Sequence, residues 1–456
     1  MLFNSFAFLL AFLPCALMLH FAAERFAPQW RLPLLAVLSF AFYGYWDWRF
    51  LPLLGLSILI NWGVARAFGH LGRNTLIWAA IVVNLLVLGV FKYADFALGL
   101  ASNLGGTEFT PLALALPLGI SFFTFHHIMY LTDLKAGRAP QMGLLRYTLY
   151  IAFFPQVLAG PLVRWSEIVH QFDERPYQRS DAAERFARGL VLLTIGLAKK
   201  VFIGDPLSVY VNPAYEAAAA GAVSTVAAWQ ATLAFPFQIY FDFSGYTDMA
   251  LGIALLFGIV LPQNFETPYR ATSLRDFWRR WHMTLSRFLR DYLYIAMGGN
   301  RHGFALQLFA LFMTMTLAGL WHGAGYTYIV WGMAHGAGLV AGLLWRKAGL
   351  PMPPLLGWAL TFSFLALTFI LFRAPTFEVA GTMFDALIGS DIPGERFRWR
   401  TIALAAAVAL AGPTAWTFVQ RLPPARWVAV LTAIVFVVIL FKIGDDANYE
   451  FIYFQF

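Results

Sequence analysis

Long stretches of the chain contain no charged residue. Asp, Glu, Lys and Arg are absent from twelve runs of 15 or more residues, which are 1–23, 32–46, 50–65, 74–91, 109–132, 147–163, 217–241, 249–265, 302–345, 348–372, 401–420 and 427–441. A transmembrane helix needs about 20 largely apolar residues. The 44-residue run at 302–345 is long enough for two. The pattern predicts roughly ten to thirteen membrane-embedded helices, some of them re-entrant.

The composition excludes most other classes of protein. Only 12% of the 456 residues are charged, whereas an ordinary soluble domain carries about a quarter. The strict alternation of a membrane β-barrel is absent, and helices satisfy their own backbone hydrogen bonds in lipid. We predict an all-α polytopic membrane protein that forms a single domain over residues 1–456.

The N-terminus and the charged loops predict how the chain inserts. Residues 1–23 carry no charge and lack the basic start of a secretory signal, which predicts a retained first transmembrane helix. Much of the net charge of +8 resides in loops such as 135–146 and 270–301, which the positive-inside rule places in the cytoplasm. Topology accounts for this charge, so no nucleic-acid partner is expected. Cys15 is the one cysteine, which excludes an intramolecular disulfide.

Two acidic residues interrupt the apolar segment 237–258. Asp242 and Asp248 are six residues apart, about 600° of helical rotation, so their carboxylates point to different sides of a helix. Ionisable groups within membrane segments are functional candidates by default. The two residues predict either a polar network that joins helices or the lining of a wet cavity. No histidine or third carboxylate lies nearby in sequence, so no metal site is expected.

A basic segment at 270–301 contains seven Arg and two Asp. A helical wheel predicts one amphipathic helix over Arg275–Tyr292, with His282 at the boundary between an aromatic and a basic arc. Such a helix can simply lie in the anionic cytoplasmic interface. The alternative is a site for a phosphorylated cytosolic donor, because arginine binds phosphate through planar bidentate hydrogen bonds and "GGNR" at 298–301 adds backbone amides.

A histidine lies near the middle of the longest uncharged run. Burial favours the neutral form of an imidazole, which a general base requires, so His322 is a catalytic candidate. The alternative is a packed, hydrogen-bonded histidine, the role we assign to His335. His126 and His127 are adjacent, so their rings diverge on a helix and cannot share a metal.

Motifs of other enzyme classes are missing from the sequence. We find no Gly-rich phosphate loop, G-x-S-x-G elbow, HExxH zinc helix or Rossmann fingerprint. Hydrolysis by a serine or a metal is therefore disfavoured. A neutral histidine in the membrane and a cytosolic arginine segment together favour acyl transfer between the two sides of the membrane.

The motifs resemble those of the membrane-bound O-acyltransferase family, and most closely its bacterial alginate O-acetyltransferase branch. The matching stretches are "GISFFTFHHIMYLTDLKAG", "FFPQVLAGPLVR", "FQIYFDFSGYTDMALG", "FWRRWHMTLSRFLRDYLYIAMGGNR", "LAGLWHGAGYTYIVWGMAHG" and "FIYFQF". They extend from residue 119 to the C-terminus and predict a catalytic core over 119–456, whereas residues 1–118 are generic N-terminal helices.

The resemblance implies a ring of tilted helices around a central tunnel. The acyl donor enters this tunnel from the cytoplasm and the acceptor from the opposite side. It also implies that His322 is the essential histidine and His282 the second histidine, of the "RWH" motif. We place Asp242, Asp248 and Trp321 in the polar network of the tunnel.

Acetyl-CoA is the expected acetyl donor, and no permanently bound cofactor is expected. We expect its phosphates to bind near Arg279, Arg280 and Arg301, with Trp281 and Asn300 completing the site. An acceptor hydroxyl, deprotonated by the central histidine, then attacks the thioester.

The expected function is O-acetylation of an alginate-like exopolysaccharide at the inner membrane of a bacterium. The sequence shows no extracytoplasmic catalytic domain, so a periplasmic acetyl acceptor or acetyltransferase is the expected partner, besides membrane lipids. D-alanyl transfer to a cell-wall polymer is an alternative, because a D-alanine-exporting relative shares the "RWHMTLS" type of motif. A proton-coupled transporter or flippase and a scaffold that only recruits enzymes are further alternatives, although no internal repeat favours a transporter.

Overall fold

The computed structural model describes residues 2–106, 110–158, 160–394 and 396–445. Regular structure in these ranges is helical, and no strand occurs within them. The predicted all-α polytopic class is therefore confirmed. The terminal motif "FIYFQF" lies outside the described residues.

The helices follow one another along the whole of the described chain. The α-helices are Leu13–Phe26, Arg31–Trp46, Leu51–Leu71, Asn74–Gly105, Ile120–Lys135, Leu144–Ala152, Phe154–Val157, Trp165–Ile168, Ala182–Lys199, Asp205–Ala219, Thr225–Leu256, Leu274–Arg280, Met283–Phe288, Phe304–His322, Tyr326–Lys347, Pro354–Arg373, Phe377–Ile388, Trp399–Ala411, Ala415–Arg421 and Arg426–Asp445. Stretches of π-helix directly adjoin some of them, at Ala7–Phe12, Lys200–Gly204 and Leu289–Tyr294. Single 3₁₀ turns lie at Pro28–Trp30, Trp48–Phe50, Val169–Asp173, Pro176–Gln178 and Pro268–Arg270.

Among the described residues, seven helices are long and apolar enough to cross a membrane. They are Ala7–Phe26, Trp48–Leu71, Asn74–Gly105, Phe304–His322, Tyr326–Lys347, Pro354–Arg373 and Arg426–Ile443. Two helices that meet at a 62° bend, Trp399–Ala411 and Ala415–Arg421, make an eighth if they form one broken span. The run at 302–345 forms two spans, as predicted. The run at 147–163 is instead divided at Phe153, because Pro155 cannot continue the preceding helix.

The described residues divide into two compact units. Of the described residues, the first unit comprises those within 2–197, 246–263 and 419–445, and the second comprises those within 198–245 and 264–418. Each unit has its own buried aromatic and aliphatic core. The predicted single domain over 1–456 stays a prediction.

Side-chain hydrogen bonds join helices within the first unit. Asn61 and Asn84 exchange hydrogen bonds between their amides, at 3.2 and 2.7 Å. The ring of His127 lies 2.9 Å from Ser57 Oγ and 2.6 Å from Tyr147 Oη. Its neighbour His126 instead accepts from the backbone N–H of Val163 at 3.2 Å. The two adjacent rings thus have separate partners, as the prediction that they diverge requires.

The segment 304–347 in the second unit folds into two helices that touch through glycines. A Cβ atom placed on Gly319 would lie 2.3 Å from the Tyr328 carbonyl oxygen, and one on Gly332 would lie 2.4 Å from the Met315 carbonyl oxygen. Only glycine permits backbones to approach this closely. We call this segment the glycine hairpin.

Gly332→Ala is expected to lower the melting temperature of the purified protein in detergent. The added methyl group overlaps the Met315 carbonyl oxygen, and overpacking of this kind destabilises a protein by about 1–3 kcal/mol. Gly342→Ala is the matched control on the same helix, because nothing lies within 4 Å of its Cβ position. Equal melting temperatures for the two variants would contradict the close contact.

Candidate active site

His282 lies at a break between two short helices, Leu274–Arg280 and Met283–Phe288. Its backbone is left-handed, with φ 42° and ψ 54°, a conformation that is rare outside glycine and is found at functional sites. The continuous helix predicted over Arg275–Tyr292 is therefore wrong. In a continuous helix the side chains of consecutive residues point about 100° apart. The break allows Trp281 and His282, which are consecutive, both to be buried, at 3% and 0% exposure.

The loop residue Asn264 stabilises this break and fixes the proton on the His282 ring. Its carbonyl oxygen accepts from the Met283 N–H at 2.9 Å. Its Oδ1 accepts from the backbone N–H and the hydroxyl of Thr284, at 3.2 and 2.9 Å, and lies 3.0 Å from Nδ1 of His282. An amide oxygen only accepts hydrogen bonds, so Nδ1 carries the proton and Nε2 is a bare acceptor.

Nε2 of His282 is buried without a hydrogen-bond partner among the described residues. Burial lowers the pKa of His282 to about 3, so the ring is neutral at physiological pH. A buried polar atom without a partner costs about 1–3 kcal/mol. Such an atom in a native structure calls for an explanation, and a catalytic role or a bound water molecule is one.

His322 ends the first helix of the glycine hairpin and is 5% exposed. Its ring centroid lies 4.8 Å from that of Trp321, 5.3 Å from that of Trp331 and 5.2 Å from that of Phe372. Trp321 also contacts His282, at 6.5 Å between ring centroids. The two histidines singled out in the sequence are therefore brought against one indole ring.

We call the connected rings of His282, Trp321, His322, Trp331, His335 and Phe372 the aromatic shell. Two hydrogen-bond donors in this shell or bonded to it also lack partners. Nδ2 of Asn264 and Nε1 of Trp331 have none within the part of the chain that the structure describes. Both residues are buried, at 1% and 2% exposure. Together with Nε2 of His282, the site presents two donors and one acceptor. These groups complement a ligand that carries a carbonyl oxygen and a hydroxyl or amide proton.

His335 belongs to the same shell but has both ring nitrogens occupied. The Trp278 indole N–H donates to its Nδ1 at 3.3 Å, so the ring proton is on Nε2. That Nε2 lies 3.2 Å from the Thr368 hydroxyl, which donates in turn to the Phe364 carbonyl oxygen at 2.8 Å. The ring has no group left for a substrate, and it packs against Trp331 at 4.6 Å. This arrangement is what the structural role predicted for His335 requires.

Asp242 forms a buried ion pair in the second unit. Nζ of Lys200 lies 2.7 Å from Asp242 and 2.9 Å from Asp205. Burial lowers the pKa of Lys200, but the two carboxylates raise it by more, so the ammonium stays charged. The next residue along the helix, Phe243, packs edge-on against His282 at 4.8 Å. The ion pair thus anchors the helix that supports one side of the His282 ring.

Asp248, the other acidic candidate, lies in the first unit and is partly exposed. Its membership of a polar network around His322 stays a prediction. Lys200 is a residue that the sequence analysis missed, because its partner Asp242 is 42 positions away.

The predicted donor-binding residues fall into two groups. Arg279, Asn300 and Arg301 are exposed, and Arg280 is partly exposed in an ion pair with Asp276 at 2.9 Å. Trp281 instead packs inside an aromatic cluster whose other members are Tyr240, Phe265, Tyr269, Phe277 and Phe369. Its position fits a residue that supports the site rather than one that contacts a cytosolic ligand.

The fold and this site define a multi-pass helical membrane protein with two buried histidines beside hydrogen-bonding groups that lack protein partners. The chain belongs to the membrane-bound O-acyltransferase family, whose sequence pattern residues 71–358 match. It is therefore an acyltransferase, as the sequence motifs predicted.

Several relatives are similar over more than half of the chain. A peptidoglycan O-acetyltransferase of Helicobacter pylori is 38% identical over 424 residues, which cover 85% of this chain and 80% of that protein. The probable alginate O-acetylase AlgI of Pseudomonas aeruginosa is 38% identical over 402 residues, with 85% and 75% covered. A teichoic acid D-alanyltransferase of Bacillus subtilis is 27% identical over 277 residues, with 57% and 69% covered.

Thermal stability of the protein is expected to fall as the pH drops below about 6.5. An unfolded histidine binds a proton from that pH downward, whereas folded His282 does so only near pH 3. Stability linked to this ring is thus complete above pH 6.5 and is lost progressively toward pH 3. His282→Gln should reduce the slope by up to about 1.4 kcal/mol per pH unit, measured as melting temperature between pH 7 and pH 4. His302→Gln, at an exposed ring, is the control, and identical slopes for wild type and His282→Gln would refute the assignment.

Proposed function

We propose that the chain transfers an acetyl group from a cytosolic thioester to a hydroxyl group, as a step in the O-acetylation of a cell-surface polysaccharide. One observation carries the proposal: the ring of His322 contacts Trp331, whose buried indole N–H is unpartnered, and Trp321, which in turn contacts His282, whose buried Nε2 is also unpartnered among the described residues. The acetyl group is supported by the two acetylating relatives at 38% identity. The D-alanyltransferase is less similar, at 27% identity.

The proposed reaction is a single acyl transfer. His322 takes the proton of the acceptor hydroxyl while the hydroxyl oxygen attacks the thioester carbonyl carbon. The intermediate collapses as the carbon–sulfur bond breaks, and the leaving thiolate takes the proton from the imidazolium. Atoms and charge therefore balance without a metal or a redox partner.

The unpartnered groups have distinct proposed roles in this reaction. The N–H groups of Trp331 and Asn264 donate to the carbonyl oxygen as it gains negative charge, which stabilises the transition state. The bare Nε2 of His282 accepts a hydrogen bond from the substrate and orients it. Because Asn264 fixes the His282 proton on Nδ1, this acceptor is in place before substrate binds.

The donor we propose is acetyl-CoA, bound from the cytoplasm. Exposed Arg279, Asn300 and Arg301 are suited to its phosphates because of their charge and planar hydrogen bonding. The amide of Arg301 already donates to the Gly298 carbonyl oxygen at 3.1 Å, so its side chain is the part available to a ligand. The passage from these residues to His322 stays a prediction.

The acceptor we propose is a hydroxyl on a periplasmic partner protein, which then modifies the polysaccharide. The membrane would then be the inner membrane of a bacterium, because a cytosolic donor and a periplasmic acceptor meet only there. The two acetylating relatives act on different polymers by name, so polymer choice is assigned to the partner rather than to this site.

His322→Gln should lower acetyl transfer by about 10²- to 10⁴-fold, the contribution of a positioned general base. The measurement is release of free CoA and of labelled product from radiolabelled acetyl-CoA by purified protein. Gln keeps the ring's approximate size and polarity, and His302→Gln controls for loss of an imidazole elsewhere. Full activity of His322→Gln would exclude the catalytic role and favour a scaffold. Ion flux without thioester cleavage in the unaltered protein would favour a transporter.

Arg279→Gln should raise the KM for acetyl-CoA about tenfold and leave the kcat unchanged, since a charge-assisted hydrogen bond contributes about 1.5–3 kcal/mol. The same variant should process acetyl-pantetheine, which lacks the nucleotide phosphates, as well as wild type does. Arg290→Gln is the matched control, because this exposed arginine is already paired with Asp291 at 2.7 Å. Phosphate binding would lie elsewhere if Arg279→Gln lost as much activity with acetyl-pantetheine as with acetyl-CoA. The same would follow if Arg290→Gln lost as much activity with acetyl-CoA as Arg279→Gln does.

A further inference from the structure

A groove of about 760 Å³ lies in the first unit, and none of the residues assigned to catalysis lines it. Its walls come from the first span Ala7–Phe26, the helix Ala182–Lys199 and the last helix Arg426–Asp445. A volume of several hundred Å³ is typical of sites for small ligands. Because two of its three walls are membrane spans, the groove is open to the lipid phase.

Charge is confined to one end of this groove. Glu184 and Arg188 lie in the first turns of their helix, and Arg426 begins the last helix. Arg188 donates to the carbonyl oxygen of Val419 at 2.6 Å, and Val419 precedes Arg426 by seven residues, so the charged residues of both helices line the same end of the groove. From Arg426 to Phe436 the lining is uncharged over ten residues, about 15 Å of helix. The groove is therefore polar at its mouth and apolar along its length.

The mouth carries an excess of positive charge. Arg188 is paired with Glu184 at 2.6 Å, whereas Arg426 is exposed and makes no ion pair or side-chain hydrogen bond with any residue that the structure describes. The net charge at the mouth is thus +1, from two arginines and one glutamate. An anionic headgroup complements this charge better than a zwitterionic one does.

Protein covers little of the apolar surface of the last helix. Only 6% of its apolar window is buried within the protein. The groove separates this helix from the first span along several turns, so an occupant with an apolar tail would contact both. A bound lipid is such an occupant. Its polar headgroup matches the polar mouth of the groove, and its acyl chain matches the apolar walls.

We propose that the groove binds one anionic phospholipid. Its phosphate contacts Arg426, and an acyl chain lies along the apolar wall between Leu13 and Ala429. The bound lipid fills the gap between the first and last helices and stabilises their packing.

The proposal is tested by photo-crosslinking of the full chain in phosphatidylcholine nanodiscs. The probe is a small fraction of phosphatidylglycerol that carries a diazirine in one acyl chain, and the cross-linked peptides are mapped by mass spectrometry. We expect cross-links on 187–194 and 425–436, displaced by unlabelled phosphatidylglycerol and far less by phosphatidylcholine or inorganic phosphate. Arg426→Gln should weaken the preference for the anionic lipid about fivefold. Arg25→Gln, at the end of the first span and outside the groove, should retain it.

Two tryptophan substitutions separate the groove from ordinary lipid contact. Ala429→Trp fills the groove and should abolish most of the cross-linking. Val430→Trp is the matched control, because this neighbouring side chain is 58% exposed and does not line the groove. Equal loss in both variants, equal competition by phosphatidylcholine, or cross-links from these peptides to another protein chain would each overturn the proposal. Displacement by inorganic phosphate alone would do the same.

Discussion

A polar atom buried away from water must be paired within the protein, or its desolvation goes uncompensated. The histidines of the second unit show both situations. Both ring nitrogens of His335 are paired, and so is Nδ1 of His282. Nε2 of His282 and Nε1 of Trp331 are not paired with any described residue. This contrast separates groups that hold the shell together from groups that remain available to a substrate.

The rest of the second unit is arranged around that shell. Close contact between glycine backbones fixes the helix that ends in His322. The Lys200–Asp242 ion pair fixes the helix whose Phe243 packs on the His282 ring. Separating a buried ion pair is costly, because it leaves a buried charge without a partner. The pair therefore holds the two segments that carry Lys200 and Asp242 in one relative position. Rigid support of this kind holds the groups of the proposed reaction within the narrow tolerance that catalysis needs.

The class of fold was predictable because it depends on local properties of the sequence. The absence of charge over 302–345 and its length already imply two spans. His322 and His282 were identifiable from their motifs, which are continuous in sequence. The break at His282 could not be predicted in this way, because a helical wheel assumes an unbroken helix and takes no account of tertiary contacts. Asn264 and Lys200 were missed for the same reason, since their partners lie 18 and 42 positions away.

The position of His322 within its own helix has a further electrostatic consequence. As the last residue of Phe304–His322, it sits where the unpaired carbonyl groups of a helix concentrate partial negative charge. An imidazole that picks up a proton there gains about 0.3–1 kcal/mol relative to one elsewhere on a helix. In the proposed reaction, the peptide dipoles of one transmembrane segment thus favour the cation that His322 becomes as it takes the proton of the acceptor hydroxyl.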